Sequence, residues 1–208
     1  PSLIKRGVTQ FVVSEEPDKQ WVSKADFVKV DHVLDALQSI AAWWRNDFKA
    51  PVIGITGSNG KTIVKEWIAQ SLGEHVRLTR TPGSYNSQIG VPLSVWMLNS
   101  GAELGLFEAG ISLPGEMDKL QAIVKPTIGL FTNLGDAHQE NFKTFTNKLE
   151  EKLKLFKDSE VIIYRNEGDW VSEKIQAYCS NKKEFTWSFQ ADADVKARLD
   201  NGILKVTY

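Results

Sequence analysis

Gly57-Ser58-Asn59-Gly60-Lys61-Thr62 is the stretch whose residue types and spacing could do chemistry. Glycines placed this closely let a backbone turn tightly, so that several N–H groups point at one anion. Lys61 stands where an ammonium would reach terminal phosphates, and the Thr62 hydroxyl stands where it would ligate Mg²⁺. The strict pattern G-x-x-x-x-G-K-[ST] would need glycine where Ile55 stands, so the loop is a variant. A surface turn with an incidental lysine is the bland alternative. The surroundings favour phosphate. Val52-Ile53-Gly54-Ile55 reads as a strand feeding the loop, and Ile63, Val64, Trp67, Ile68 and Leu72 recur at helix spacing behind it. The start of that helix adds the positive end of its dipole.

Further acid, imidazole and amine positions follow apolar runs. Glu108 comes directly after Leu104-Gly105-Leu106-Phe107, where a carboxylate could join Thr62 as a hard oxygen ligand of Mg²⁺; a solvated loop glutamate is the equal alternative. His138 follows the run 128–132, and a lone histidine is more often structural than catalytic. Asp136 is a further ligand or a turn residue beside Gly135. Lys152 is flanked by Lys148, Lys154 and Lys157, which together resemble a solvated face. The polar loop 79–86 is a natural place for substrate contacts. These pieces specify phosphoryl transfer from ATP, without revealing the acceptor.

The elements that must position these groups alternate between strand and helix. Residues 7–14 and 27–30 read as short strands. Asp31 is the expected N-cap of a helix with Val33, Leu34, Leu37, Ile40, Ala41 and Trp44 on its core face, and residues 46–51 read as a linker. Beyond it, strands are expected at 76–79, 104–107, 128–132, 161–164 and 184–187, with 202–208 strand-like. Helices are expected near 92–98, 116–124, 146–156 and 169–178. Such alternation predicts an α/β fold: a mostly parallel sheet with helices on both faces and ligands at the strands' carboxyl ends.

Composition agrees with a globular enzyme. The 208 residues are 42% apolar and 25% charged, with a formal net charge of −1 that argues against a nucleic-acid partner. Cys179 is the only cysteine, so no internal disulfide can form and a reducing, cytoplasmic setting is expected. No apolar run approaches the roughly 20 residues that span a bilayer, so no membrane partner is expected. The expected state is a monomer. Neither Pro1 nor the strand-like end at Tyr208 looks like a natural terminus, and the chain reads as a piece of a longer protein.

Four ordered blocks resemble the Mur ligase family, which builds the peptide stem of bacterial peptidoglycan. They are Ile53–Thr62, Tyr85-Asn86-Ser87-Gln88-Ile89-Gly90-Val91-Pro92-Leu93, Phe107-Glu108-Ala109-Gly110, and Thr132–Phe142 with its Gly135-Asp136-Ala137-His138. Arg6–Glu15 and the helix around Val33-Leu34-Asp35-Ala36-Leu37 are similar to the D-alanyl-D-alanine-adding branch. The resemblance implies an ATP-binding central domain over 49–208, truncated at its carboxyl end. It makes 1–48 the end of a UDP-substrate-binding domain with its linker. It implies that ATP and Mg²⁺ drive the joining of UDP-N-acetylmuramoyl-tripeptide to D-Ala-D-Ala through an acyl phosphate.

Carried over by position, Gly57, Ser58, Asn59, Gly60, Lys61 and Thr62 hold ATP, while Thr62, Glu108 and His138 hold the metal. Lys61, His138 and Lys152 serve catalysis, Lys152 as the lysine that Mur ligases carbamylate. Glu150-Glu151-Lys152-Leu153-Lys154 departs from the small-residue run usual there, which leaves Lys154 as a competitor. The family's adenine-contacting His-Asn-x-x-Asn segment does not occur, and its amine-binding domain is missing. The fragment is therefore expected to fold yet not to complete ligation. Another Mur-like ligase, tripeptide-forming or folylpolyglutamate synthase-like, is the alternative within the class. A nucleotide-binding module without ligase chemistry is the alternative outside it, and a racemase fused downstream stays open.

Overall fold

The structure, a computed structural model, describes residues 2–208 and contains two sheets. Helix α1 (Ser2–Lys5) leads into β1 (Gln10–Val13), and α2 (Lys19–Val22) returns the chain to β2 (Asp26–Lys29). The two strands pair in parallel, with the Phe11 and Phe27 rings stacked 5.3 Å apart. Helix α3 (Val33–Asp47) runs on to the larger sheet. There β3 (Val52–Thr56), α4 (Lys61–Leu72), β4 (Leu78–Arg80), α5 (Gly90–Val95) and β5 (Leu104–Glu108) come first. They are followed by α6 (Glu116–Val124), β6 (Ile128–Phe131), α7 (Phe145–Leu153), β7 (Val161–Arg165) and α8 (Trp170–Tyr178). Strands β8 (Lys183–Ser188), β9 (Val195–Asp200) and β10 (Ile203–Thr207) complete it.

The strand order is β10-β9-β8-β7-β6-β3-β5-β4, parallel throughout except for the β9–β10 hairpin. The chain leaves β3 for the edge strand β4, returns to β5 beside β3, and then crosses to β6 on the other side. Direction therefore reverses at β3, which opens a crevice at its carboxyl end.

Alternation along the strands separates two cores. Ile55 and Leu106, with Ile53, Leu78 and Leu130, pack against Val64, Ile68 and Ala69 of α4 on one face. Val52, Phe107, Phe131 and Ile162 face the other way, into a larger core with Leu120 of α6, Leu149 of α7 and Ile175 of α8. Helices thus cover both faces, as the alternation predicted.

Two helices rotate away from their predicted faces. In α4, Val64 and Ile68 point inward as expected, but Ile63 and Trp67 are exposed and the fully buried side chain is Lys65. In α3 the buried residues are Gln38, Ala41 and Arg45, while Val33, Leu34, Ile40 and Trp44 are exposed. The N-cap of α3 is His32, not Asp31. Specific polar partners outweigh the apolar count in α3. Arg45 donates to the carbonyls of Val124 at 2.8 Å and Lys125 at 2.9 Å, closing the carboxyl end of α6, and to Phe48 O at 2.8 Å at the end of its own helix. Arg45→Met is expected to destabilise the fold by about 3 kcal/mol, because the helix-end carbonyls lose a charge-assisted donor. A urea unfolding midpoint equal to that of the wild type would exclude this role.

Candidate functional site

The turn after β3 is shaped by backbone that only glycine tolerates. Gly57 has φ 146°, and a Cβ there would lie 2.0 Å from Thr132 Oγ1. Gly60, at φ 78°, is the left-handed N-cap of α4. Between them the loop is tied to the segment after β6. Ser58 N donates to Asn133 O at 2.8 Å, Ser58 Oγ to Gly135 O at 3.1 Å, and Asn59 N to Asn133 Oδ1 at 3.1 Å. In return, Thr132 Oγ1 donates to Asn59 O at 2.7 Å and Gly135 N to Ser58 Oγ at 2.9 Å.

A cavity of about 320 Å³ opens beside this loop at the strand carboxyl ends. Gly57, Ser58, Lys61, Asn86, His138 and Lys152 are among the residues that line it. Lys61 Nζ donates to Gly57 O at 3.0 Å and Ser58 O at 3.3 Å. Burial lowers its proton affinity, and the Glu108 carboxylate opposes that. Lys152 Nζ donates to the same Gly57 carbonyl at 3.1 Å. Burial, then the charges of Lys61 and Lys148, push its pKa down to about 7.

Glu108 lies behind the lining, bonded to Asn86. Its side chain is fully buried at the end of β5, not solvated in a loop. Oε1 accepts from Asn86 Nδ2 at 2.9 Å and Thr62 Oγ1 at 3.2 Å, whereas Oε2 is buried without a hydrogen-bond partner. A buried carboxylate oxygen left unmatched is costly in a folded protein. With the Thr62 hydroxyl it offers the hard oxygen donors that Mg²⁺ prefers. Among the described residues no group of three or more His, Cys, Asp or Glu is arranged to hold an ion. A metal here would thus be shared with phosphate oxygens or water, which suits magnesium.

His138 is exposed at the cavity, in a left-handed conformation at φ 60°. Asp136 is exposed too, and its carbonyl accepts from Gln139 N at 2.8 Å. The lysines of α7 separate clearly. Lys154 points away, paired with Asp118 at 2.7 Å and Glu151 at 2.8 Å, and these partners raise its proton affinity. Lys152 alone of the two competitors reaches the cavity. Lys148, expected on a solvated face, is fully buried, with its ammonium bonded to Gly135 O. Its position one helical turn before Lys152 was the signal that could have placed it.

Sequence reasoning also missed the wall that α3 contributes. Leu34 lines the cavity, and Gln38 Nε2 donates to Gln88 O at 3.1 Å and Gln88 Oε1 at 3.0 Å, fixing the far side. The loop singled out for substrate contacts does reach the cavity, through Asn86.

The profile of the Mur ligase middle domain matches residues 55–205. The chain belongs to the Mur ligase family. It is 36% identical over 140 residues to the UDP-N-acetylmuramoyl-tripeptide–D-alanyl-D-alanine ligase of Bacillus subtilis, covering 66% of this chain and 31% of that enzyme. With the same-named protein of Borreliella burgdorferi it shares 34% over 175 residues, covering 81% and 38% respectively. This Mur ligase chain thus spans about a third of the curated relatives it matches. A crystal structure of MurF from Acinetobacter baumannii superposes with a TM-score of 0.80 at 25% identity, over 90% of this chain and 40% of that one. MurF from Thermotoga maritima in complex with ADP shares the fold, with a TM-score of 0.77 at 24% identity over 94% and 48%.

Proposed function

We propose that this chain is the ATP-handling part of a peptide ligase that adds D-Ala-D-Ala to UDP-N-acetylmuramoyl-tripeptide, in the cytoplasm and as a monomer. One observation carries the reading: the glycine loop and the buried Lys152 amine line one crevice, and the unmatched Glu108 carboxylate lies behind it, bonded to Asn86 of the lining. The division at residues 48/49 is supported by the separate small sheet before α3 and by β3 opening the large one.

In this reading the loop N–H groups and Lys61 bind the polyphosphate of ATP, and Thr62, Glu108 and His138 are the candidates to hold Mg²⁺. The metal, when bound, neutralises charge developing on the transferred phosphoryl group. Lys61 orients the terminal phosphates, and Leu34 and Ile111 give the crevice apolar positions in its lining. Lys152, half unprotonated near neutral pH, is a nucleophilic amine suited to carbamylation: its nitrogen adds to CO₂ and a proton leaves.

Calorimetric titration of ADP into the chain, with and without Mg²⁺, tests the site. Magnesium is expected to tighten binding, and Glu108→Gln to remove about tenfold or more of that gain. Failure of Mg²⁺ to affect ADP binding would sink the reading. For the enzyme in its full natural length, ADP formation should require both the UDP-linked tripeptide and D-Ala-D-Ala. Formation driven instead by glutamate and a folate would reassign the substrate class.

A further inference from the structure

Lys65 is the one fully buried charged side chain of α4, and the ATP site as described leaves it without a task. Its ammonium has three donors and three acceptors within reach. Nζ donates to Thr81 O at 2.7 Å and to Gly83 O, and it pairs with Glu66 Oε1 at 3.1 Å. Arg80, at the end of β4, holds the other oxygen of Glu66. With every donor committed, Lys65 does not serve as a second phosphate-binding cation. Its partners instead lie at the root of the loop that carries Asn86.

That loop continues to the metal-binding candidate. Asn86 Nδ2 donates to Glu108 Oε1 at 2.9 Å, and Glu108 N donates to Thr81 Oγ1 at 3.1 Å. The same Oε1 accepts from Thr62, three residues before Lys65 on α4. Hydrogen bonds from Lys65 thus reach Thr81 and Gly83, the chain leads on to Asn86, and further hydrogen bonds join Asn86 to Glu108 and Glu108 back to α4 at Thr62. The circuit closes on the helix where it began.

We propose that Lys65 is a positioning residue for the magnesium carboxylate: it anchors the 81–86 loop so that Asn86 occupies Oε1 and leaves Oε2 without a protein partner. An apolar residue of the same length would fill the space but release both carbonyls. The loop could then shift, and Glu108 could rotate away from the geometry the ion needs. Phosphate contacts made by the glycine loop do not depend on this circuit. The inference rests on the magnesium–nucleotide reading given above.

ADP titration of Lys65→Met with and without Mg²⁺ separates positioning from general damage. Affinity without Mg²⁺ is expected to stay within about twofold of the wild type, while the gain from Mg²⁺ falls about tenfold. Lys65→Arg, which can still donate to both carbonyls, is expected to recover most of that gain. In an Asn86→Ala background, Lys65→Met is expected to add less than about twofold, because both changes act through one carboxylate. Should Lys65→Met fail to melt cooperatively, Lys65→Gln gives the same readout, since it is too short to bridge both carbonyls. A folded Lys65→Met or Lys65→Gln variant that keeps the full magnesium gain, loses both affinities equally, or adds in full to Asn86→Ala overturns the inference alone. A wild-type chain whose ADP binding ignores Mg²⁺ overturns the site reading together with it.

Discussion

Gly57→Ala is expected to abolish nucleotide binding, with ADP affinity falling by about 100-fold or more. Two effects act together. The added methyl would stand 2.0 Å from Thr132 Oγ1, and the φ of 146° is one that L side chains rarely adopt. Relief requires the turn to open, which moves the one carbonyl that receives both Lys61 and Lys152. It also pulls the loop from Asn133 and Gly135, since Ser58 follows immediately. The melting temperature should drop as well, by about 5 °C or more for a loss of about 2 kcal/mol in a chain of this size. ADP titration and thermal melting check both parts. Gly60→Ala serves as the contrast: no heavy atom lies within 4 Å of where its methyl would stand, so only the φ of 78° is strained. Retained ADP affinity in Gly57→Ala would mean that the loop is not the phosphate cradle.

Lys152→Met is expected to stabilise the ligand-free chain below neutral pH and to lose that advantage as pH rises. In the folded chain the Lys152 pKa is pushed down to about 7, from 10.5 ordinarily. Below about 7 the amine is charged in both states, and the folded state carries a buried cation beside Lys61 and Lys148. Between those two values the unfolded chain binds the extra proton, so wild-type stability climbs with pH. Methionine fills a similar volume without the charge. The variant should therefore melt about 5 °C above the wild type near pH 6, with the difference shrinking toward pH 10. Melting curves across that range decide the matter, and a pH-independent difference would refute the depressed pKa. Lys154→Met should show no such trend, because Asp118 and Glu151 stabilise its charge.

The parts legible in sequence were those where local pattern and tertiary demand coincide. The β3 run, the glycine turn and the helix start all declare themselves within a dozen residues. Glu108 falls at a strand end on pattern alone, and its burial follows from β5 lying between β3 and β4. The parts that were not legible depend on partners distant in sequence. Lys65 and Arg45 face inward because backbone carbonyls wait for them across the fold, which periodicity cannot register. Ile40 and Ile63 are exposed for the matching reason: the inward positions were already taken by polar anchors and Ala41 or Ala69. Strand β9 escaped notice because Lys196, Arg198 and Asp200 break its apolar character, as suits a hairpin largely exposed at the sheet edge. Lys148 and Lys152 look like solvated lysines until α7 is laid against the phosphate loop.

The bonds between Ser58, Asn59, Thr132, Asn133 and Gly135 have a thermodynamic consequence. A glycine-bearing loop is ordinarily among the most disordered segments of a chain, and freezing it around an anion would subtract from affinity. Here that ordering is completed when β6 takes its place beside β3, in the folding step itself. The entropy is lost before any ligand arrives, so the attraction between loop and anion is left largely undiminished at the moment of encounter.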